Sequence, residues 1–312
     1  MERTSGYADG LISGATWGLV AVLLPRLDQL SGESLLAMPL AVAAIFDSAA
    51  ALFLLIRSSA AGALPRMLRL ITSRRALTVA MCSFLGGPLF MGGYIAAVIF
   101  AGPSDALTAT ATYPVFGALL AQSLLRQRLN AIAWLGVTAT ALGAALTAFD
   151  AGSSAHSTRI LIGVAIALAA AAALALEGIV ATHAMVNLDA DTVMAVRELF
   201  SAIMFAVVLL AVPGGLGTAE TVVATRDLFA PIIVAGFIGG YSFAIWYHSI
   251  RKIGVAKAMA LNISYAMWGA LFAWIFQHTI VSLLAISGCV VVTSGAALTI
   301  MSGERRAEGY SQ

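Results

Sequence analysis

Apolar residues in this chain gather into ten long runs, and the stretches between them hold most of the charge. About 20 apolar residues suffice for a helix to cross a hydrocarbon core of roughly 30 Å. The pattern therefore predicts ten transmembrane helices, at 9–25, 35–56, 77–100, 104–125, 131–149, 160–186, 193–212, 229–250, 256–276 and 280–301. The ninth run, Ala256-Lys-Ala-Met-Ala-Leu-Asn-Ile-Ser-Tyr-Ala-Met-Trp-Gly-Ala-Leu-Phe-Ala-Trp-Ile-Phe276, carries Asn262, Ser264, Tyr265 and Trp268 part-way along. With Lys257 at the membrane edge, Tyr265 lies about 12 Å deep at a rise of ~1.5 Å per residue, close to mid-bilayer. Asn262, Tyr265 and Gly269 share one helix face. Such a face has to look into the protein, because lipid leaves its donors unsatisfied. The expectation is a substrate-facing helix in a transporter.

Composition narrows the class. Of 312 residues, 61% are hydrophobic and only 10% charged, against about 25% charged in soluble domains. Mean hydropathy is +0.96, which indicates an integral membrane protein. Ten spans use about 200 residues, leaving short loops, a tail at 304–312 and no room for a soluble domain. The net charge of +2 offers no basic surface for nucleic acid. Cys82 and Cys289 lie inside apolar runs, and His156, His183, His248 and His278 are scattered, so neither disulfide, metal nor cofactor is expected. Met1 to Gly10 lacks the basic region and cleavage site of a signal peptide, so the first helix is expected to stay.

Charge also sets an orientation. With the N-terminus cytoplasmic, thirteen Lys and Arg fall inside, among them Arg57, Arg66, Arg69, Arg74 and Arg75, whereas Arg26, Arg159 and Arg226 alone fall outside. Both termini are expected to be cytoplasmic. The inside loop Asn187 to Thr192 dissents, with only Asp189 and Asp191.

The two halves repeat. Shifted by 152 residues, Tyr113, Gly117, Ala118, Leu119 and Ala121 fall on Tyr265, Gly269, Ala270, Leu271 and Ala273. Gly143-Ala-Ala-Leu-Thr147 falls on Gly295-Ala-Ala-Leu-Thr299, and 13 of 42 positions from 106 to 147 are identical. Trp17-Gly-Leu-Val20 is echoed by Glu177-Gly-Ile-Val180. The expected units are 1–150 and 151–303. Five helices is an odd number, so the second copy is inverted, and the binding site is expected near the pseudo-two-fold axis.

The five-plus-five arrangement resembles the drug/metabolite transporter superfamily across nearly the whole chain. Within it, Leu11-Ile-Ser-Gly-Ala-Thr-Trp-Gly-Leu19, Gly87-Pro88, Tyr113-Pro114, Glu177, Arg197 and above all Ala256 to Trp268 resemble the LicB-type bacterial choline permeases. That resemblance implies a polytopic permease of the bacterial cytoplasmic membrane, holding choline or a similar cation in a central cavity. Asp47, Tyr94, Glu198 and His248 depart from the family pattern.

A quaternary ammonium donates no hydrogen bond, so its site needs aromatic faces and nearby negative charge. Trp17, Tyr113, Tyr241 and Tyr265 lie near mid-depth, Trp268 is one turn past Tyr265, and Trp246 and Tyr247 lie nearer an edge, where an aromatic belt is the alternative. With Asn262, these are the candidate substrate-binding residues. Glu177 lies about 15 Å deep, where a carboxylate costs of order 3 kcal/mol and needs a partner, a cavity or a proton. Asp47 has the same depth and is a second acid, a proton site or a partner for Arg197. Arg197 is expected to snorkel to the interface, with Glu198 directed about 100° away from it on an ideal helix. Pro39, Pro88 and Pro114 fall within the runs, and Gly86-Gly-Pro88 predicts a kink. Gly117, Gly136, Gly143 and their copies read as helix-packing notches.

The expectation is a secondary transporter importing a small organic cation, with export of amino acids or other metabolites as the alternative. A membrane potential supplies about 2.3 kcal/mol per charge per 100 mV, enough for roughly 40- to 50-fold accumulation; proton coupling through Glu177 or Asp47 is a second route. A membrane enzyme would want paired Asp motifs or a His-Asp arrangement at the interface, and the sequence pattern displays neither.

Overall fold

The computed structural model describes residues 2–24, 36–127, 129–148, 158–278 and 282–302. The expected tail at 304–312, together with Arg26, Arg128 and His156, lies outside the described residues. All regular structure among them is helical: α1 Glu2–Leu23, α2 Ala37–Ala60, α3 Leu64–Ile71, α4 Ala76–Ala101, α5 Pro103–Thr110, α6 Tyr113–Leu124, α7 Ala131–Ala148, α8 Thr158–Ala184, α9 Ala190–Ala211, α10 Gly215–Ala224, α11 Arg226–Ile253, α12 Val255–Asn262, α13 Tyr265–Gln277 and α14 Leu283–Met301. Among the described residues, seven spans are long and apolar enough to cross a membrane: α2, α4, α8, α9, α11, α14 and the α12–α13 unit. Their outward faces carry exposed Leu52, Leu77, Leu161, Leu210 and Val290, as lipid contact requires.

Two runs expected as unbroken helices are each broken in two. Thr110 and Tyr113 flank one break, and Asn262 and Tyr265 flank the other, at positions 152 residues apart. Each unit opens after a glycine in a conformation closed to other residues, Gly102 at φ 89° and Gly254 at φ 83°. Neither break holds a glycine or proline at its two turn residues, Ala111-Thr112 and Ile263-Ser264. Other boundaries also move. Helix α9 starts three residues before 193 because Asp189 caps it, accepting from the Thr192 amide at 2.8 Å. Pro39 and Pro114 fall in first turns, where the missing N–H costs nothing. Pro88 lies in a π-helical stretch, Leu85–Gly92, within α4. Lys257, expected at an edge, is buried, its Nζ 5.9 Å from the Tyr7 ring centre.

Packing concentrates in a few pairs. Helix α1 lies along α11 and α13, α4 along α8, α2 between α9 and α11, and α7 along α14. Gly6, Gly10, Gly14 and Gly18 form a notched face on α1 that admits the α11–α13 segments. The acidic loop that dissented from the charge rule sits among arginines. Asp191 pairs with Arg57 at 3.0 Å and His248 at 3.1 Å, Asp189 with Arg66 at 3.8 Å, and the Val186 carbonyl accepts from Arg75 at 2.9 Å. These segments therefore share one end of the molecule, and Lys252 joins α11 to Asp9 of α1 at 2.6 Å.

The notches make a stability test. A Cβ on Gly18 would come within 2.7 Å of the Gly269 nitrogen and 2.8 Å of the Tyr265 carbonyl, whereas one on Gly217 meets nothing within 4 Å. Gly18→Ala is expected to cost about 1–3 kcal/mol, read as a lower unfolding temperature in detergent. Gly217→Ala should leave that temperature unchanged or raise it.

Candidate functional site

The break between α12 and α13 puts Asn262 and Tyr265 against a cavity also lined by Trp17, Phe90, Leu174, Ser242, Phe243 and Trp246. Five of the eight lining side chains are aromatic. Trp17 packs on Phe243, centroids 4.9 Å apart, and edge-on to Phe46 at 6.0 Å. The cavity volume is about 20 Å³, room for roughly one water. Small-molecule sites occupy about 300–1,000 Å³, so this is a closed state that has to widen to admit an organic molecule.

A hydrogen-bonded chain holds the polar corner. Tyr113 donates to Asn262 Oδ1 at 2.6 Å, and Asn262 Nδ2 donates to Ser13 Oγ at 2.8 Å. Ser13 donates to the Ser242 carbonyl at 3.0 Å, and Ser242 returns a bond to the Ser13 carbonyl at 2.8 Å. Four helices, α1, α6, α11 and α12, are tied together in this way, with α1 brought close by Gly14, whose Cβ would meet the Asn262 carbonyl.

A charged cluster lies behind the aromatic wall. Arg197 is fully buried; its Nε donates to Glu177 Oε1 at 2.8 Å, and its Nη1 donates to Glu198 Oε2. Tyr247 donates to the same Glu177 oxygen at 2.9 Å, and Ser201 donates to Asp47 Oδ2. The guanidinium carbon stands 5.2 Å from the centre of the cavity-lining Phe243 ring. Three carboxyl groups, at 0–1% exposure, thus gather around one guanidinium, Glu177 and Glu198 bonded to it directly and Asp47 held through Ser201. The Gly-Gly of the π-helical stretch presses against them: a Cβ on Gly86 would run into Glu177 and Arg197, and one on Gly87 into Ser201.

Several candidate residues converge here, but not all in the manner expected. Trp17, Trp246, Asn262 and Tyr265 line the cavity. Trp246, a candidate for an aromatic belt, is instead 2% exposed. Tyr113 supports Asn262, and Tyr247 supports Glu177. Trp268 stands apart from the lining, stacked on Phe272 at 6.1 Å. Tyr241 is 39% exposed and faces away, because residues 239 and 240 of its helix press their glycines onto Phe46 and Ala50 of α2. Arg197 does not snorkel, and Glu198 is its partner after all, since both long side chains curl into the same buried space. Glu177 faces Arg197 rather than the cavity lining. Asp47 lies near Arg197 yet is bonded to Ser201. Sequence reasoning missed Phe90, Leu174, Ser242, Phe243 and Ser13. The four-residue glycine spacing of α1 was the readable signal for Ser13, which stands beside Gly14.

Apolar spans around an internal aromatic and ionisable site define a multi-pass integral membrane protein of transporter type. The chain belongs to the EamA-like transporter family, which matches residues 4–149 and 161–301. It is 22% identical over 228 residues to Protein LicB of Haemophilus influenzae, covering 73% of this chain and 76% of that protein. A solved crystal structure shares the fold with a TM-score of 0.75 at 17% identity, covering 98% of this chain and 100% of the other.

Removal of one partner from a buried ion cluster costs about 3–5 kcal/mol. Arg197→Met is expected to lower the unfolding temperature in detergent accordingly, and the added change Glu177→Gln to recover part of the loss. A single variant as stable as the parent would mean that the cluster contains no ion pair.

Proposed function

We propose that this protein is a secondary transporter of a small organic cation, choline or a similar quaternary ammonium compound, working inward by alternating access across a bacterial cytoplasmic membrane. The observation that carries it is the cavity walled by Trp17, Phe90, Phe243, Trp246 and Tyr265, with a carboxylate-rich cluster behind it. Cation–π contacts contribute roughly 2 kcal/mol or more when desolvated, and three carboxylates against one guanidinium leave negative charge or proton capacity nearby. Similarity to Protein LicB supports the same reading. Within it, the substrate-binding residues are Trp17, Asn262, Tyr265 and Trp246, with Tyr113 and Tyr247 in support, and the cavity geometry adds Phe90 and Phe243. Neither Tyr241 nor Trp268 lines the cavity in the closed state.

The architecture we propose is ten spans in two inverted halves, 1–150 and 151–303. Helices α1, α5–α6 and α7 complete the seven long apolar units. Support comes from the paired breaks and from the exchange of contacts between halves: the first span packs on the eighth, α1 on α11, as the third packs on the sixth, α4 on α8. The arginine-rich end shared by Arg57, Arg66, Arg75 and Arg251 is assigned to the cytoplasm together with both termini. The membrane potential drives the cation inward, and the carboxylate cluster offers a proton route. The role is transport, not catalysis.

A thermal-shift screen of purified protein tests the substrate. Choline is expected to raise the unfolding temperature more than zwitterionic betaine does, because the betaine carboxylate adds negative charge beside an acidic cluster. Aromatic amino acids outperforming every quaternary amine would point to the exporter alternative. In proteoliposomes, Glu177→Gln is expected to retain choline affinity within about tenfold, since the carboxylate is already engaged by Arg197, yet to lose uptake driven by a pH gradient. Unchanged pH-driven uptake would remove Glu177 from the proton route.

A further inference from the structure

We infer that Asn262 is a specificity-determining residue that reads a hydroxyl group on the substrate; this rests on the transport of a quaternary ammonium compound proposed above. The argument starts from hydrogen-bond capacity. A side-chain amide has two donors and an acceptor oxygen with two lone pairs. The surrounding bonds fix which way it points. Ser13 has one hydroxyl hydrogen, directed at the Ser242 carbonyl at 3.0 Å, so its oxygen accepts, and Nδ2 must face it. Tyr113 then meets Oδ1 at 2.6 Å.

These two bonds use one N–H and one lone pair. The second N–H and the second lone pair remain, on a residue that lines the cavity. Among the other lining side chains, Phe90, Leu174 and Phe243 carry no polar atom, and the Ser242 hydroxyl is bonded to the Ser13 carbonyl at 2.8 Å. The buried Trp246 Nε1 also has no partner, but an indole can only donate. Asn262 instead has a donor and an acceptor to spare on one side chain. A trimethylammonium head neither accepts nor donates, and it fits the rings. A hydroxyl at the other end both accepts and donates, and it matches the two positions Asn262 has left. Location at a broken helix adds to this, because Asn262 is the last residue of α12 and is held from α1 and α6 at once.

The probes are choline and n-propyltrimethylammonium, which keeps the head and replaces the hydroxyl with a methyl. Affinities are measured by calorimetry on the purified full-length protein. The parent is expected to prefer choline by roughly 5- to 100-fold, the range for leaving one buried donor unpaired. In Asn262→Leu the preference should fall to about one, through weaker choline binding, with n-propyltrimethylammonium held within about threefold. Ser13→Ala keeps the amide but removes its anchor, and should reduce the preference while leaving n-propyltrimethylammonium unaffected. Equal binding of both compounds by the parent, or an equal loss for both in Asn262→Leu, overturns the assignment. Parent protein that binds neither compound overturns the cation reading itself, and this inference with it.

Discussion

A guanidinium with no access to water can be held only by groups that come to it, and here five helices do so. Arg197 of α9 is met by Glu177 from α8, Phe243 from α11 and the glycine-notched π stretch of α4, while Asp47 of α2 is drawn in through Ser201. Tyr247 of α11 completes the cage around the Glu177 oxygen. Hydrophobic packing between membrane helices supplies little preference for one arrangement over another, because lipid is as apolar as the side chains. Polar groups are therefore what define the register of the bundle, since each misplaced one costs its full desolvation. The cluster fixes which faces of α2, α4, α8, α9 and α11 turn inward, and the aromatic cavity is a consequence of that choice. Phe243 has the cavity on one account and Arg197 on the other, so the two are adjacent by construction.

The second constraint is the pair of broken helices. A break inside a membrane exposes backbone groups that lipid cannot satisfy, so breaks survive where protein surrounds them. Both here follow a glycine-initiated half-helix and both precede a buried tyrosine. The Ser13–Asn262–Tyr113 chain crosses from one break to the other, joining Tyr113 at the start of α6 to Asn262 at the end of α12. Irregular backbone at this depth gives a transporter side-chain and main-chain groups that continuous helices keep occupied.

Much of this was legible in the residues. Apolar runs located the seven long apolar spans among the described residues to within four residues, the 152-residue shift paired the positions of the two breaks, and depth counting singled out Trp17, Glu177, Asn262 and Tyr265. What depth counting lacks is azimuth. Tyr241 and Trp246 lie on one helix, and only packing against Phe46 and Ala50 decides that the first faces out and the second in. The breaks themselves were hidden, because Ala111-Thr112 and Ile263-Ser264 contain no residue that forbids a helix. The Arg197–Glu198 contact was hidden for a different reason: neighbours on a helix diverge at Cβ, but long side chains reconverge where burial removes water as a competing partner.

Burial of charge and the cavity's closure bear on each other. A cavity with room for roughly one water-sized sphere excludes bulk solvent, so the field of three carboxylates and one guanidinium reaches it largely unscreened. For the organic cation proposed above as substrate, the ring faces would then supply the direct contacts and the cluster only its field, with no acid in the lining itself. A direct ion pair would instead have to repay the desolvation of both partners in a dry cavity.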